Sequence, residues 1–429
     1  MKRGRILSVI FGFACLSATF AGAEQVGPWN LDELKSVVPA VTWLRQDQPI
    51  HSLTYEGEKV NGAETEVFAF YASPKTLGEA GDKKTFPGIV LIHGGGGTAF
   101  SDWVYLWAKR GYAAIAMDLS GSRPIDPSFD ESGNLVPGLA NTKQRTKLAK
   151  GGLDHSHAQK FDSIGGDFSD DWPFHAAASA IRAHSLIRSF PEVDAARTAV
   201  TGISWGGYTT CLVASLDDRF QAAVPVYGCG FLHEGESVQK PAIDNLGDRR
   251  AEWVKQYDPG SLLHRCQVPI LFVNGTNDKH YVLDSYMKSY NKVPGEKQIR
   301  IEKKMRHGHQ AGWEPKEIGI FVDSKCVEGS IPLPVVAKPV VTADGVEVQV
   351  IFQGSEWKSA ELLYTTDSGP RSGRNWQTVP AKVARSEKVD GKTKVTVTSP
   401  LPPGDANTWL ITVTDNRDAM LSTEVQFSE

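Results

Sequence analysis

The sequence predicts a doubly wound, mostly parallel α/β sheet followed by a small all-β domain. Three observations carry this. From about Phe86 to Lys325, short apolar runs bounded by Gly and Pro alternate with helical patterns. Strands buried on both faces and their crossover helices read this way. After Cys326 the helical period disappears, and short strand-like runs separated by turn signals replace it. Between the two textures lies Ile331-Pro332-Leu333-Pro334, which reads as a linker. The chain has 429 residues, 41% hydrophobic and 22% charged. That is ample for a large core and too apolar for global disorder. A net charge of −4 supplies no basic excess, so no nucleic acid and no anionic membrane is expected as a partner.

The elements follow in order. Lys2, Arg3 and Arg5 precede an apolar run, Ile6 to Phe20, and then Ala21-Gly22-Ala23. This is the layout of a secretory signal peptide over 1–23. The apolar run of about 15 residues is shorter than the ~20 that span a bilayer. The mature chain is therefore expected to be exported, secreted or periplasmic, with no membrane partner after cleavage. Export leaves Cys211, Cys229, Cys266 and Cys326, whose pairing the sequence does not choose. Cys211 lies on an apolar helix and is expected as a buried thiol. No C-x-x-C occurs, so no structural zinc is expected.

Residues 24–330 are expected to form the α/β domain. An N-terminal helix covers Leu31–Val38, and Glu66–Tyr71 reads as an edge strand. Buried strands are expected at Pro87–His93, Tyr112–Met117, Arg197–Ile203, Ala222–Tyr227 and Val268–Asn274, and Gln298–Lys303 reads as the last strand of the sheet. Helical patterns cover Ser101–Arg110, Pro173–Ser189 and Gly207–Leu216, and a closing helix begins at Pro315–Phe321. The stretch 120–171 is polar and Gly-rich, and reads as a lid-like insertion. Its Asp154, His155 and His157 read as solvated loop residues rather than metal ligands. In 335–429 strands are expected at Val346–Phe352, Ala360–Thr365, Trp376–Val383, Lys394–Thr398, Thr408–Thr414 and Ser422–Phe427. Asp344-Gly345, Asp390-Gly391 and Pro402-Pro403-Gly404 separate them, as in a small β-sandwich of the immunoglobulin or fibronectin kind.

The chemistry concentrates in four places. Gly202-Ile203-Ser204-Trp205-Gly206-Gly207 is G-x-S-x-G between an apolar strand and a helical pattern. That context is a nucleophile elbow, which presents Ser204 at the end of a strand. His93-Gly94-Gly95-Gly96-Gly97 follows another strand. Its small residues let backbone N–H groups approach a ligand, so Gly95 and Gly96, with Trp205, are the expected oxyanion hole. His93 is expected to brace that loop. Asp278 follows the strand Val268–Asn274 and is the expected acid, with Asp284 in reserve. Of the later histidines, His280 is too close to Asp278, which leaves His307 and His309 on the loop after the last strand. The Gly-His step into a helix favours His309 as base, with His307 the alternative. No metal or organic cofactor is needed for such a site.

His93–Gly97, Gly202–Gly207, Asp278 and His307/His309 together resemble the α/β-hydrolase superfamily over roughly Phe86 to Lys325. Thr201–Tyr208 and Val224-Pro225-Val226-Tyr227-Gly228-Cys229-Gly230 more closely resemble secreted acetylxylan-esterase-like and dienelactone-hydrolase-like proteins, near the prolyl oligopeptidase-type hydrolases. Thr365–Pro370 with Asn375-Trp376-Gln377 is similar to the ends of PhoPQ-activated pathogenicity-related proteins. Dienelactone hydrolases use a cysteine nucleophile, so Ser204 points away from that activity. The resemblance implies a secreted serine hydrolase that cleaves small-molecule or polysaccharide esters of the acetylxylan type. A serine aminopeptidase or dipeptidase is one alternative; an inactive binding or adhesion protein is another. Trp103, Trp205, Tyr227 and Trp313 fall near the site loops, where they would pack or stack on sugar rings. Trp357, Trp376 and Trp409 read as core of the tail.

Overall fold

In the computed structural model, residues 24–138 and 144–428 are described. The expected signal segment 1–23 lies outside them. Among the described residues no helix is long and apolar enough to cross a membrane.

Nine strands form the main sheet. They are β1 Val41–Arg45, β2 His51–Glu56, β3 Glu66–Ala72, β4 Phe86–Ile92, β5 Ala113–Met117, β6 Val193–Ile203, β7 Ala222–Val226, β8 Ile270–Gly275 and β9 Lys297–Glu302. Their spatial order is β9-β8-β7-β6-β4-β5-β3-β2-β1. From β9 to β5 every pairing is parallel, and β3, β2 and β1 are added antiparallel at the far edge. Every residue of β4, β5, β7 and β8 is buried, which is why these strands read as continuous apolar runs.

Glu66–Tyr71 is not the edge strand expected. Two further strands lie outside it, and β2 buries Leu53 and Tyr55. The first helix, α1 (Leu31–Ser36), stops short of Val38. Pro39 restricts the residue before it to extended backbone, so the helix cannot run on. Helices α2 (Ser101–Lys109), α3 (Trp172–Arg188) and α4 (Trp205–Leu216) follow the pattern closely. α5 (Leu283–Lys292) follows β8, and α6 (His309–Trp313) and α7 (Lys316–Cys326) follow β9. The polar stretch 120–171 is mostly irregular. Among the described residues it holds one short ladder, Ser122–Pro124 against Arg145–Lys147, and two helical turns, at Ala158–Asp162 and Phe168–Asp170. Cys211, Cys229, Cys266 and Cys326 are all buried free thiols.

The chain end is a β domain of mainly antiparallel strands: β10 Val346–Phe352, β11 Trp357–Thr365, β12 Gln377–Val389, β13 Lys392–Ser399, β14 Thr408–Asp415 and β15 Met420–Ser422. The long β12 pairs with β11 through its first half and with β13 through its second. Val346, Val348, Val350 and Phe352 alternate inward and meet Leu362, Val395, Val397 and Ile411 in a separate core. Trp409 belongs to that core and Trp357 packs at its margin. Trp376 instead joins the main core, together with Leu363, Leu410, Leu421 and Val425.

This second attachment fixes the tail on the sheet edge. The Ser422 hydroxyl accepts from Ile301 N–H at 3.1 Å, and Glu317 accepts from Met420 N–H at 2.6 Å. β9 is thus covered rather than left as an open edge. A chain truncated after Ser330 would bare that edge and its apolar neighbours. It is expected to aggregate on size-exclusion chromatography. A monomeric truncated chain with an unchanged unfolding temperature would contradict this packing account.

Candidate active site

The nucleophile elbow is built by close packing. Ser204 joins β6 to α4 with φ +59° and ψ −118°, a region that non-glycine residues rarely occupy. Such strain costs on the order of 1–3 kcal/mol and persists only where the surroundings impose it. Here they do. Ser204 N–H donates to Val226 O at 2.8 Å. A Cβ on Gly206 would lie 2.0 Å from Ile92 O, and one on Gly202 would lie 2.2 Å from Gly206 O. Only hydrogen fits where the turn passes between strands.

Three side chains converge there. Ser204 Oγ lies 3.0 Å from His307 Nε2, and His307 Nδ1 lies 2.6 Å from Asp278 Oδ2. The Asp278 carboxylate is buried, and its other oxygen accepts from His280 N–H at 2.8 Å and Tyr281 N–H at 2.9 Å. A carboxylate at Nδ1 puts the ring proton there and leaves Nε2 to accept the serine hydroxyl proton. Tyr227 stacks on the His307 ring at 4.6 Å, and its hydroxyl donates to Arg306 O at 2.8 Å. The ring and the loop carrying it are thereby held from one side.

This corrects the choice of base. The sequence favoured His309, but His307 is the histidine that bridges Ser204 and Asp278. His309 opens α6, and its Nε2 accepts Gly94 N–H at 3.0 Å. Its ring packs on Phe100 at 4.7 Å. The two histidines stand two residues apart after β9, which is why spacing alone did not separate them; only His307 reaches Ser204 and Asp278.

Burial, with the His93 ring adding, pushes the His309 pKa down to about 3. The ring therefore stays neutral and remains an acceptor. The unfolded chain protonates this residue below about pH 6.5, so between there and pH 3 it binds more protons than the folded chain. Stability contributed here is present above pH 6.5 and is lost as pH falls. Burial acts in the same direction on His155 and His184, both at about 4. The urea midpoint is expected to drop between pH 7 and pH 4.5, with a smaller drop in His309→Gln. An equal slope in both proteins would contradict the assignment of a buried neutral ring.

The glycine loop is braced on three sides. His93 is buried, its Nδ1 lies 2.7 Å from Gly94 O, and its Nε2 accepts from Leu119 N–H at 2.8 Å. Its bracing role thus agrees with the sequence reading. His309 holds Gly94 N–H. Arg145, from the insertion, donates to Gly96 O at 3.0 Å and also to Gly97 O. Gly94 N–H is thus already engaged. Among the described residues the N–H groups of Gly95, Gly96 and Trp205 meet no protein acceptor. Gly95 also lies against the Trp205 indole, where a Cβ would come within 3.1 Å. The three positions picked from sequence are therefore together and free to donate.

Arg145 escaped sequence reasoning, because one arginine in a polar stretch carries no pattern. The bracing role of His309 escaped it too. Of the aromatics, Trp103 is buried and stacks on Trp313 at 5.3 Å, and Tyr227 is buried beneath His307, so these pack. Trp205 is half-buried, with Phe161, Trp172 and Tyr208 around its indole.

A serine on a strained strand–helix turn of such a sheet, bonded in series to imidazole and carboxylate, defines a class. The chain belongs to the α/β-hydrolase superfamily and is a serine hydrolase. Residues 30–239 match the family profile described as Acetyl xylan esterase (AXE1), and residues 169–318 match the Prolyl oligopeptidase family. These matches indicate a serine hydrolase acting on esters. Among solved structures, it resembles an acetyl xylan esterase from Paenibacillus sp. R4, with 21% identity and a TM-score of 0.51 over 69% of this chain and 92% of that one. Acetyl Xylan Esterase 1 from Thermoanaerobacterium sp. JW/SL YS485 is similar at 18% identity and a TM-score of 0.50, over 68% of this chain and 90% of that one.

Proposed function

We propose that this protein is an exported carboxylesterase that removes acyl groups from carbohydrate or similarly polar esters. The observation that carries the chemistry is the Ser204–His307–Asp278 series, at 3.0 Å and 2.6 Å. Ser204 Oγ adds to the ester carbonyl carbon while its proton passes to His307 Nε2. Asp278 holds the imidazole in the useful tautomer and stabilises the imidazolium. The N–H groups of Trp205 and Gly95, with Gly96 beside them, receive the developing oxyanion; one such donor is worth about 10²–10³ in rate. His307 then gives its proton to the departing alkoxide. Water, deprotonated by His307, attacks the acyl-enzyme, releases the acid and restores Ser204. No step needs a metal or organic cofactor.

The carbohydrate part rests on the acetyl xylan esterase family match, and export rests on the signal layout over 1–23. The domain reading is a signal over 1–23, a hydrolase over 24–330 with a lid-like insertion at 120–171, and a β-sandwich over 335–429. The test is acetate release from acetylated xylo-oligosaccharides by the chain beginning at Glu24, beside p-nitrophenyl acetate and aminoacyl p-nitroanilides. Acetate release and ester turnover are expected. The Prolyl oligopeptidase family match over 169–318 favours one second reading, a serine aminopeptidase or dipeptidase. Cleaved anilides with untouched esters would establish it in place of the first. A chain that binds acetylated xylan but turns over neither class would be a binding protein.

A further inference from the structure

Lys160 stands over the ring of Trp205, the residue after the nucleophile, and no step above uses it. It belongs to the polar insertion, but its neighbours fix it firmly. Phe161 is buried, with its ring 5.9 Å from Trp205 and 5.4 Å from Trp253. Trp253 Nε1–H donates to Lys160 O at 2.7 Å. Lys160 N–H donates to Ser156 O at 3.0 Å, so the backbone is held on both sides of the lysine. Its Nζ lies 4.9 Å from the centre of the Trp205 ring and 5.5 Å from that of Trp172. Trp205 directly follows Ser204, and its indole also meets Gly95 of the oxyanion loop. The ammonium thus sits one aromatic ring away from the reacting centre.

That ammonium lacks a partner of opposite charge. Among the described residues no carboxylate lies within 4.0 Å of it. Asp154 attracts it from farther away and has Lys147 at 4.0 Å, while Asp162 faces His157 at 3.8 Å. His93 and His155, also nearby, are kept neutral by burial. Burial of Lys160 itself pushes its pKa down to about 8. The two indole faces offset only part of that desolvation. A half-buried cation in this state gains more from an arriving anion than a surface lysine does, because less water screens the pair.

We propose that Lys160 is a specificity-determining residue that binds a carboxylate carried by the ester substrate, on its acyl or its alcohol side. This deepens the carboxylesterase reading and rests on it. The substrate class is then an anionic ester, either a hemiester of a dicarboxylic acid or an acylated uronic acid.

Two substrate pairs test it in the chain beginning at Glu24. Mono-p-nitrophenyl succinate against its neutral methyl ester reads the acyl side. Acetylated glucuronic acid against acetylated glucose reads the alcohol side. Wild type is expected to favour the charged member of at least one pair by about tenfold in kcat/KM, the scale of a charge-assisted bond. Lys160→Gln should bring that ratio close to one, and Lys160→Arg should keep most of it. A purely structural lysine would slow both members alike and leave the ratio unmoved. A wild-type ratio near one in both pairs overturns the inference without needing a folded variant. So does a ratio that Lys160→Gln leaves unchanged. Failure on all four esters would instead remove the carboxylesterase reading, and this inference with it.

Discussion

His307→Ala is expected to lower kcat on an activated ester by about 10⁴-fold or more, while His309→Ala costs only about 10–100-fold. The two variants separate because the two rings do different work. Loss of His307 removes the acceptor of the Ser204 proton, so no activated nucleophile forms and the remaining rate comes from the oxyanion donors. Its ring is partly exposed and stacks on Tyr227, so the unfolding temperature should move little. Loss of His309 leaves the Ser204–His307–Asp278 series intact but frees Gly94 N–H and opens space beneath the glycine loop. Gln at 309 should recover part of the lost rate, since its amide oxygen can accept the same N–H. Steady-state kinetics and thermal unfolding of the variants read this directly. A larger kcat loss in His309→Ala than in His307→Ala would return the base to the residue that spacing favoured.

Gly206→Ala is the second substitution with a large expected effect. Added methyl groups in packed interiors commonly cost about 1–3 kcal/mol, because neighbouring side chains give way. Here the obstacles are the backbone oxygens Ile92 O, at 2.0 Å, and His93 O, at 2.7 Å. Those atoms belong to the central strand β4 and the start of the glycine loop, and they cannot move without displacing the sheet. A loss of at least about 3 kcal/mol is expected, seen as a strongly lowered urea midpoint or an insoluble product. By contrast, a Cβ on Gly308 meets nothing, and the φ of 179° there is ordinary extended backbone. Gly308→Ala should therefore fold normally. Equal stability of the two variants would show that the elbow is looser than these contacts require.

Much of this was legible in the residues because the signals were local. The buried strands β4, β5, β7 and β8 are short apolar runs, and each run is apolar because both faces of a parallel sheet are covered. The elbow was legible because glycine is required on both sides of Ser204, and the acid because Asp278 lies in the loop that follows β8. The base was narrowed to two residues and no further. His307 and His309 stand two residues apart after β9, and the deciding fact is a distance to Asp278 across 29 positions. β1 and β2 were missed as strands because neither shows a clean alternation: β1 is largely exposed, and β2 buries Ser52 and Thr54 beside Leu53 and Tyr55. Arg145 and Lys160 were invisible for a different reason. Each is one charged residue in a polar insertion, and its meaning comes wholly from what the fold sets beside it: two glycine carbonyls for one, two indoles for the other.

The central claim is that Ser204 is a nucleophile activated by His307 and Asp278. Its most direct test is covalent capture with a fluorophosphonate, followed by mass spectrometry of the proteolytic peptides. The adduct is expected on the peptide carrying Ser204, absent in Ser204→Ala, and formed at least about 10³-fold more slowly in His307→Ala. An adduct on another residue, or ester turnover that survives in Ser204→Ala, would contradict it.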